Sequence, residues 1–385
     1  MRIAIFTETY LPDINGVATH IKTLRDGLEA MGNQVLIVKA DHSCRRHKIN
    51  EGILSCPALM SKKMYNFSIS YPISIKRFKY IKAWNPDIIH IHNEFPIGFS
   101  GMLIAKALKK PLVYTLHTMY DDYIYYIAKK PFIPLVTRLS HRYLRLIANN
   151  ASAVTGASRK VEAFFKECGY EKKINIIPNA VELDIFGANV LNYNKVQKIR
   201  NDYKINNGIK AACFCGRLGN EKNLDMLLNL WAAVHEDNPQ WRLIIIGDGP
   251  VRPYLVSLCH ALGISECVAF TGKIPHDELQ PYYCSCNAYI TASMSENYSI
   301  SMLEAMANGL PIIHLRDNVN EEQFIDRLNG FAFDNEYELS QILGHLGALP
   351  KEKAEQLSTD IRKTVSGSGS TNLAQSLMPV YSEII

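Results

Sequence analysis

Short apolar runs alternate with amphipathic stretches of helical length along this chain of 385 residues, and the pattern starts afresh near residue 211. The first series runs through RIAIF (2–6), QVLIVKA (34–40), DIIHIH (87–92), PLVYTLH (111–117), SAVTGAS (152–158) and INIIPNAV (174–181). The second contains AACFCGRL (211–218), WRLIIIGDG (241–249), CVAFTG (267–272), AYITAS (288–293) and PIIHL (311–315). Between them lie helical segments at 19–31, closed by Gly32 and Asn33, at 98–109, and at 224–236. Strands separated by helices of this length build parallel βαβ units. Two successive series therefore predict an α/β protein of two doubly wound domains, residues 1–182 and 183–370. SGSGS (366–370) reads as a flexible linker, and residues 371–385 as a last amphipathic helix.

Composition narrows the setting. No stretch approaches the ~18 uncharged apolar residues of a membrane span, and MRIAIFTETY reads as a buried first strand, not a signal peptide. The nine cysteines include C-x-C pairs (Cys213/Cys215, Cys284/Cys286) but no CxxC, which predicts reduced, buried thiols in a cytoplasmic protein. The net charge of +5 conceals a split: residues 1–185 hold 26 Lys and Arg against 15 Asp and Glu, residues 186–385 hold 16 against 22. A basic half suits nucleic acid, an anionic membrane or a phosphorylated substrate. Without zinc-ligand spacing or an RNA-binding aromatic signature, nucleic acid is not expected as a partner.

In open parallel sheets ligands bind beyond the carboxyl ends of the strands, so the loops after strands are where chemistry is expected. Loop 9–18 carries Gly16 ahead of a helix N-terminus, which suits a phosphate as well as a plain turn. In GRLGNEKN (216–223), Arg217 and Lys222 can face one polyanion. In SMSENYSISMLEAMANGLPII (293–313), Glu296 precedes Glu304 by eight positions, and the N–H groups of Asn297, Tyr298, Ser299 and Ile300 can donate to an anion or to sugar hydroxyls. A carboxylate such as Glu304 can accept from a vicinal diol; equally, Ser301-x-x-Glu304 has the form of a capping box.

GRLGNEKN, GDGP (247–250) and the Glu296-x7-Glu304 pair, in that order and each at a strand end, resemble family 4 glycosyltransferases of the two-domain GT-B fold. IPNAVELDIF (177–186), EAMANGLPII (304–313) and NGFAF (329–333) extend the resemblance over nearly the whole chain. It implies two Rossmann-like domains facing a central cleft, with helix 371–385 packing back on the N-terminal one. It further implies that Arg217 and Lys222 hold the donor diphosphate, Glu304 the ribose and Glu296 the donor sugar. Gly16 would let the N-terminal domain approach the phosphates, and His117 would lie against the sugar. Glu296, His117, Arg217 and Lys222 are thus the expected catalytic residues. The implied reaction is retaining transfer of a hexose, from a UDP-hexose as the expected donor. The sequence has no DxD triplet, so no obligatory metal or Mg2+ is expected, and no protein metal site. Ser299, Tyr298 and Leu315-Arg316 depart from the residues frequent in the family, which leaves the sugar open.

HTMYDDYIYYIAKK (117–130) resembles a segment of bacterial diacylglycerol glucosyltransferases, with Tyr125 in place of that group's His. Tyr120, Asp121 and Asp122 are the expected acceptor residues, and a lipid or a glycan the acceptor. In segment 131–150, Arg138, Arg142 and Arg145 share one helical face while Leu135, Leu139, Tyr143 and Leu146 form an apolar one. Segment 60–84 adds Lys62, Lys63, Lys76, Arg77, Lys79 and Lys82. Both suit peripheral association with the anionic inner face of the plasma membrane, although a helix with an apolar face also simply covers a core.

Overall fold

A computed structural model describes residues 1–13, 15–61, 67–122, 124, 130–187, 192–206, 208–316 and 322–385. It divides into two compact units, Met1–Ala180 with Ser370–Ile385, and Val181–Gly369. Each is a parallel α/β layer structure.

The strands of the first unit are β1 (Arg2–Thr7), β2 (Gln34–Asp41), β3 (Lys48–Asn50), β4 (Ile53–Ser61), β5 (Phe67–Ser70), β6 (Ile88–Ile91), β7 (Leu112–Leu116), β8 (Ala153–Gly156) and β9 (Ile174–Ile176). Their order is β3-β4-β2-β1-β6-β7-β8-β9, with β5 antiparallel to β4. Ile3, Ala4, Ile5 and Phe6 are fully buried, as are Ile88, Ile89 and Ile91. Central strands covered by helices on both faces need such continuous apolar runs. The small strands β3 and β5 are both antiparallel to β4; β5 lies in segment 60–84, read from sequence as basic surface, and β3 in a stretch to which the sequence assigns no element. Edge strands of three or four residues carry no apolar run to announce them.

The second unit contains β10 (Lys210–Cys215), β11 (Trp241–Ile246), β12 (Val268–Gly272), β13 (Ala288–Thr291), β14 (Ile312–Leu315) and β15 (Gly330–Phe333). All pair in parallel in the order β12-β11-β10-β13-β14-β15. Trp231 and Trp241 are fully buried on one face, Tyr283 and Met302 on the other.

SGSGS is not a loose tether. Val181 N–H donates to Ser368 O at 2.8 Å, and Ser370 already begins the helix Ser370–Ile384. That helix lies on helix Gly16–Ala30 and buries Leu373, Ala374, Leu377 and Tyr381 there. A composition suited to flexibility has thus been held by backbone pairing. Of the nine cysteines, all unbridged, Cys44 and Cys284 are only half-buried.

Candidate active site

Each sheet has one point where the strand order reverses, and there the loops on either side diverge to leave a crevice at the strand ends. In the second unit this point lies between β10 and β13, and the loops that follow them carry Arg217, Lys222 and Glu296. Lys222 Nζ lies 2.6 Å from Glu296 Oε1, and neither side chain is more than a fifth exposed. Burial alone would raise the Glu296 carboxyl; the Lys222 ammonium, with Ser293 and His314, overrides it and holds the group below its ordinary range. Glu296 is therefore an anion at neutral pH.

Further bonds sew the two loops together. Ser295 Oγ donates to Glu221 O (2.9 Å) and Asn223 Nδ2 to Ala292 O (3.2 Å). Arg217 Nη2 stands 3.4 Å from the buried Glu221 carboxylate, which orients the guanidinium. The loop after β11 packs on the same turn: Leu218 N–H donates to Asp248 O at 3.0 Å. Gly247 has φ of 136°, and a Cβ there would come within 1.9 Å of Gly216 O. The spacing in GDGP thus serves backbone contact with the Arg217 loop.

Glu304 lies on helix Ile300–Ala307 and is 4% exposed. Its carboxylate accepts from His276 Nε2 (2.7 Å) and Tyr283 Oη (2.8 Å). The capping box is not formed. Ser299 is the N-cap, accepting from Met302 N–H at 3.4 Å, while Ser301 Oγ meets Tyr289 Oη at 2.9 Å. Two donors from another segment, the half-buried His276 and the fully buried Tyr283, claim the carboxylate that the local pattern would have turned back on its own helix. The expectation for the 297–300 amides needs a second correction. Ser299 N–H donates to Gln323 Oε1 (2.7 Å), and Gln323 Nε2 returns a bond to Ser299 O (2.6 Å). That amide is committed within the fold, because Gln323, a residue sequence reasoning passed over, is buried against it.

In the first unit the order reverses between β1 and β6. Gly16 is the first residue of helix Gly16–Ala30, which Asn15 caps by accepting from Ala18 N–H at 3.0 Å. His117 follows β7 and meets His92, which follows β6, with Nε2 and Nδ1 2.9 Å apart. The His20 ring stands edge-on to His117, centroids 4.7 Å apart, and its Nδ1 is 2.9 Å from Asn179 Oδ1. His90 packs on His92 from within the strand. Among the described residues, His20, His92 and His117 have ligand atoms within 4.8 Å of one another, the spacing a transition metal would need. Sequence reasoning singled out only His117; the H-x-H of DIIHIH at the end of a strand was the available signal for its neighbours.

The expected acceptor residues separate. Tyr120 Oη donates to Glu94, which also accepts from Tyr114 Oη at 2.6 Å. Asp121 pairs with His141 Nε2 at 3.0 Å on helix Ile133–Asn150. The side chain of Asp122, and Tyr125 altogether, lie outside the described residues. Glu94, unnoticed in the sequence, is the hub of this corner.

The buried groups of the first unit set its pH dependence. Burial lowers His20 to about 4 and His90 to about 3, and takes His92 and His117 well below 6.5. It raises Glu94 to about 7 and Glu8 to about 8. Below pH 6.5 the unfolded chain gains protons that the buried histidines refuse, so stability is lost as pH falls. The folded carboxyls keep protons that unfolded ones lose from about pH 4.5 upward; below 6.5 the four histidines outweigh these two groups, and above it the carboxyl loss stands alone, so stability falls as pH rises towards about 8. Thermal unfolding followed against pH should show a maximum near neutrality, and Glu8→Gln should flatten the alkaline limb. An alkaline limb equally steep in that variant would refute the assignment.

Sequence comparison places the chain in a family. Residues 195–364 match the family model described as Glycosyl transferases group 1, and residues 14–185 match that of Glycosyltransferase Family 4. The chain is 31% identical over 362 residues to an alpha-monoglucosyldiacylglycerol synthase of Streptococcus pneumoniae, covering 93% of this chain and 81% of that protein. It is 29% identical over 359 residues to the alpha-monoglucosyldiacylglycerol synthase of Acholeplasma laidlawii, covering 91% and 89%. Its fold is shared by Anabaena HepE, solved with UDP and glucose, with a TM-score of 0.76 at 17% identity over the full length of both chains. Two doubly wound parallel sheets, with both halves of the chain matched, make this an enzyme of the GT-B class, a hexosyltransferase belonging to glycosyltransferase family 4.

Proposed function

We propose that this chain is a retaining glycosyltransferase that moves a hexose from a UDP-hexose to the hydroxyl of a diacylglycerol-type lipid, giving an α-glycoside. The observation that carries the reading is the Lys222–Glu296 pair beside Arg217 at the reversal point of the second sheet. The choice of acceptor rests on the activity named for the two relatives that match nearly the whole chain.

The bond from the anomeric carbon to the diphosphate oxygen breaks, and its electron pair leaves with the phosphate. Arg217 and Lys222 receive the charge that develops there, fixed in place before the reaction so that no reorganisation is needed. Cations in these positions do the work of a divalent ion, and no obligatory metal is part of the proposal. The acceptor oxygen bonds the anomeric carbon on the face the phosphate leaves, and its proton passes to the departing phosphate oxygen. Glu304 accepts from the ribose hydroxyls and Glu296 from the sugar. Gly16 and the amides at 297, 298 and 300 are assigned to the donor, His117 to its sugar, and Tyr120, Asp121 and Asp122 to the acceptor. Asp121 reaches that role only by releasing His141.

The enzyme is proposed to work as a peripheral protein on the inner face of the plasma membrane. No helix among the described residues is long and apolar enough to cross a membrane. Helix Ile133–Asn150 turns Leu144, Ile147 and Ala148 inward, yet leaves Leu135 and Leu139 54% and Leu146 48% exposed beside Arg138, Arg142 and Arg145. An exposed apolar ridge flanked by cations suits the interface of an anionic bilayer. Leu135→Glu with Leu139→Glu should reduce cosedimentation with anionic vesicles about tenfold or more without lowering the melting temperature, since neither leucine is buried. Equal cosedimentation would discard the helix as the anchor.

The test of the whole reading is a transfer assay with labelled UDP-hexoses and diacylglycerol in anionic liposomes. Label entering the organic phase is the expected outcome. Label released only as free sugar would keep the donor and move the acceptor to a glycan. No consumption of any UDP-sugar would reject the donor.

A further inference from the structure

Of the histidine rings that meet at the carboxyl end of the first sheet, His90 is committed on both nitrogens. Its Nδ1 lies 2.7 Å from Tyr381 Oη and its Nε2 2.7 Å from Thr115 Oγ1. It packs on His92 with ring centroids 4.0 Å apart and so limits how that ring can turn. His20, His92 and His117 are placed differently. His20 Nδ1 is 2.9 Å from Asn179 Oδ1, an oxygen that only accepts; the proton therefore sits on Nδ1, and Nε2 keeps its lone pair. His92 Nδ1 and His117 Nε2, 2.9 Å apart, share one proton. His92 is fully buried, and its Nε2 has no hydrogen-bond partner among the described residues that would dictate which nitrogen is protonated. With the protons on His92 Nε2 and His117 Nδ1, both facing nitrogens present lone pairs and no proton has left the pair.

The three side chains offer ligand atoms within 4.8 Å of one another, the one such group of His, Cys, Asp or Glu among the described residues. Zinc–imidazole bonds of about 2.0–2.1 Å set tetrahedral ligand atoms about 3.4 Å apart, so the rings need close by no more than about 1.5 Å. Their backbones are held by helix Gly16–Ala30 and by the ends of the paired strands β6 and β7. His20 and His92 are buried and His117 half-buried, which leaves the His117 side open to water. A set of imidazoles without a carboxylate suits Zn2+, Cu2+ or Ni2+, whereas Mg2+ and Ca2+ take oxygen ligands. The sequence predicts no metal site because it lacks a DxD triplet, but that triplet would serve a hard cation on a diphosphate, a different chemistry.

We infer that His20, His92 and His117 form a site for one transition-metal ion of the Zn2+ class, with water as its fourth ligand, and that the occupied site shuts out the donor's hexose. The first part stands on the geometry of the rings; the second rests on the assignment of His117 to the sugar. Zn2+ is then a reversible inhibitor that competes with the UDP-hexose. It leaves UDP binding unchanged, since the residues assigned to the nucleotide and diphosphate belong to the other unit.

The test titrates the full chain, stripped with EDTA, with Co2+ followed by visible absorption and with Zn2+ by calorimetry. One ion per chain is expected, with the intense bands of four-coordinate Co2+ and without the thiolate charge-transfer band that the half-buried Cys44 or Cys284 would give. His20→Asn and His117→Asn should each weaken binding about a hundredfold or more, and Asn179→Ala about tenfold, through loss of the partner that orients His20. His117 is only half-buried, so its variant tests the site even where His20→Asn, at a buried position, unfolds the chain. His42→Asn, which removes an exposed histidine of the same unit, should bind as the wild type does. Equal affinity in the wild type and His117→Asn, or a thiolate band, would overturn the site. One ion bound as expected, with transfer undiminished at saturating Zn2+, would overturn the exclusion of the hexose and the sugar assignment of His117, while the metal site stands.

Discussion

Replacing Lys222 by alanine should lower the transfer rate at saturating donor by about two to three orders of magnitude, the usual effect of removing one fixed donor from a site of developing negative charge. The fold should survive, because the pair with Glu296 sits in a loop at the strand ends and its side chains retain some exposure. The variant has a second consequence that a simple loss of charge would lack. The Glu296 carboxyl is held low chiefly against the effect of burial by Lys222, so without the lysine it should titrate higher and the rate should fall as pH drops through the new value. Initial rates against pH, with the unfolding midpoint and the affinity for UDP measured on the same sample, separate these effects. Arg217→Ala should behave alike in rate. A near-normal rate for Lys222→Ala would remove the diphosphate from this pair of cations, and with it the mechanism proposed here.

Glu304→Ala should weaken UDP binding about tenfold to a hundredfold, the worth of charge-assisted bonds to two ribose hydroxyls. The same variant should also lower stability. His276 Nε2 and Tyr283 Oη both donate to this carboxylate; Tyr283 is fully buried, so its hydroxyl left without an acceptor costs about 1–3 kcal/mol, while His276, about a fifth exposed at 21%, can turn to water. Glu304→Gln separates the two roles: it keeps an acceptor for the buried Tyr283 hydroxyl and restores part of the stability, but it loses the charge that the ribose would meet. Calorimetric titration with UDP and thermal unfolding of both variants provide the comparison. A lowered unfolding midpoint with unchanged UDP affinity would leave Glu304 a purely structural residue.

What could be read in the sequence was whatever depends on neighbours along the chain. Strands such as RIAIF and WRLIIIG had to be buried on both faces, because a run without a polar residue every second position has no solvent side. Parallel strands separated by helices then brought the loops of Arg217, Lys222 and Glu296 to one end of one sheet, and the 2.6 Å pair between residues 222 and 296 follows from that topology. The short antiparallel strands β3 and β5 escaped notice because an edge needs no such run.

The tertiary structure alone decided which partners the polar groups chose. Glu304 turned to His276 and Tyr283 instead of capping its own helix, Gln323 took the Ser299 amide, and Arg77 went inside while Lys76 stayed out. His20, His92 and His117 meet although 97 residues separate the first from the last, a meeting no local period encodes. The physical reason is common to all of these. Apolar burial is set by pattern and is indifferent to which apolar neighbour it finds, whereas a buried polar atom must find a particular partner at hydrogen-bond distance, and that partner is supplied by whichever distant segment the fold brings there.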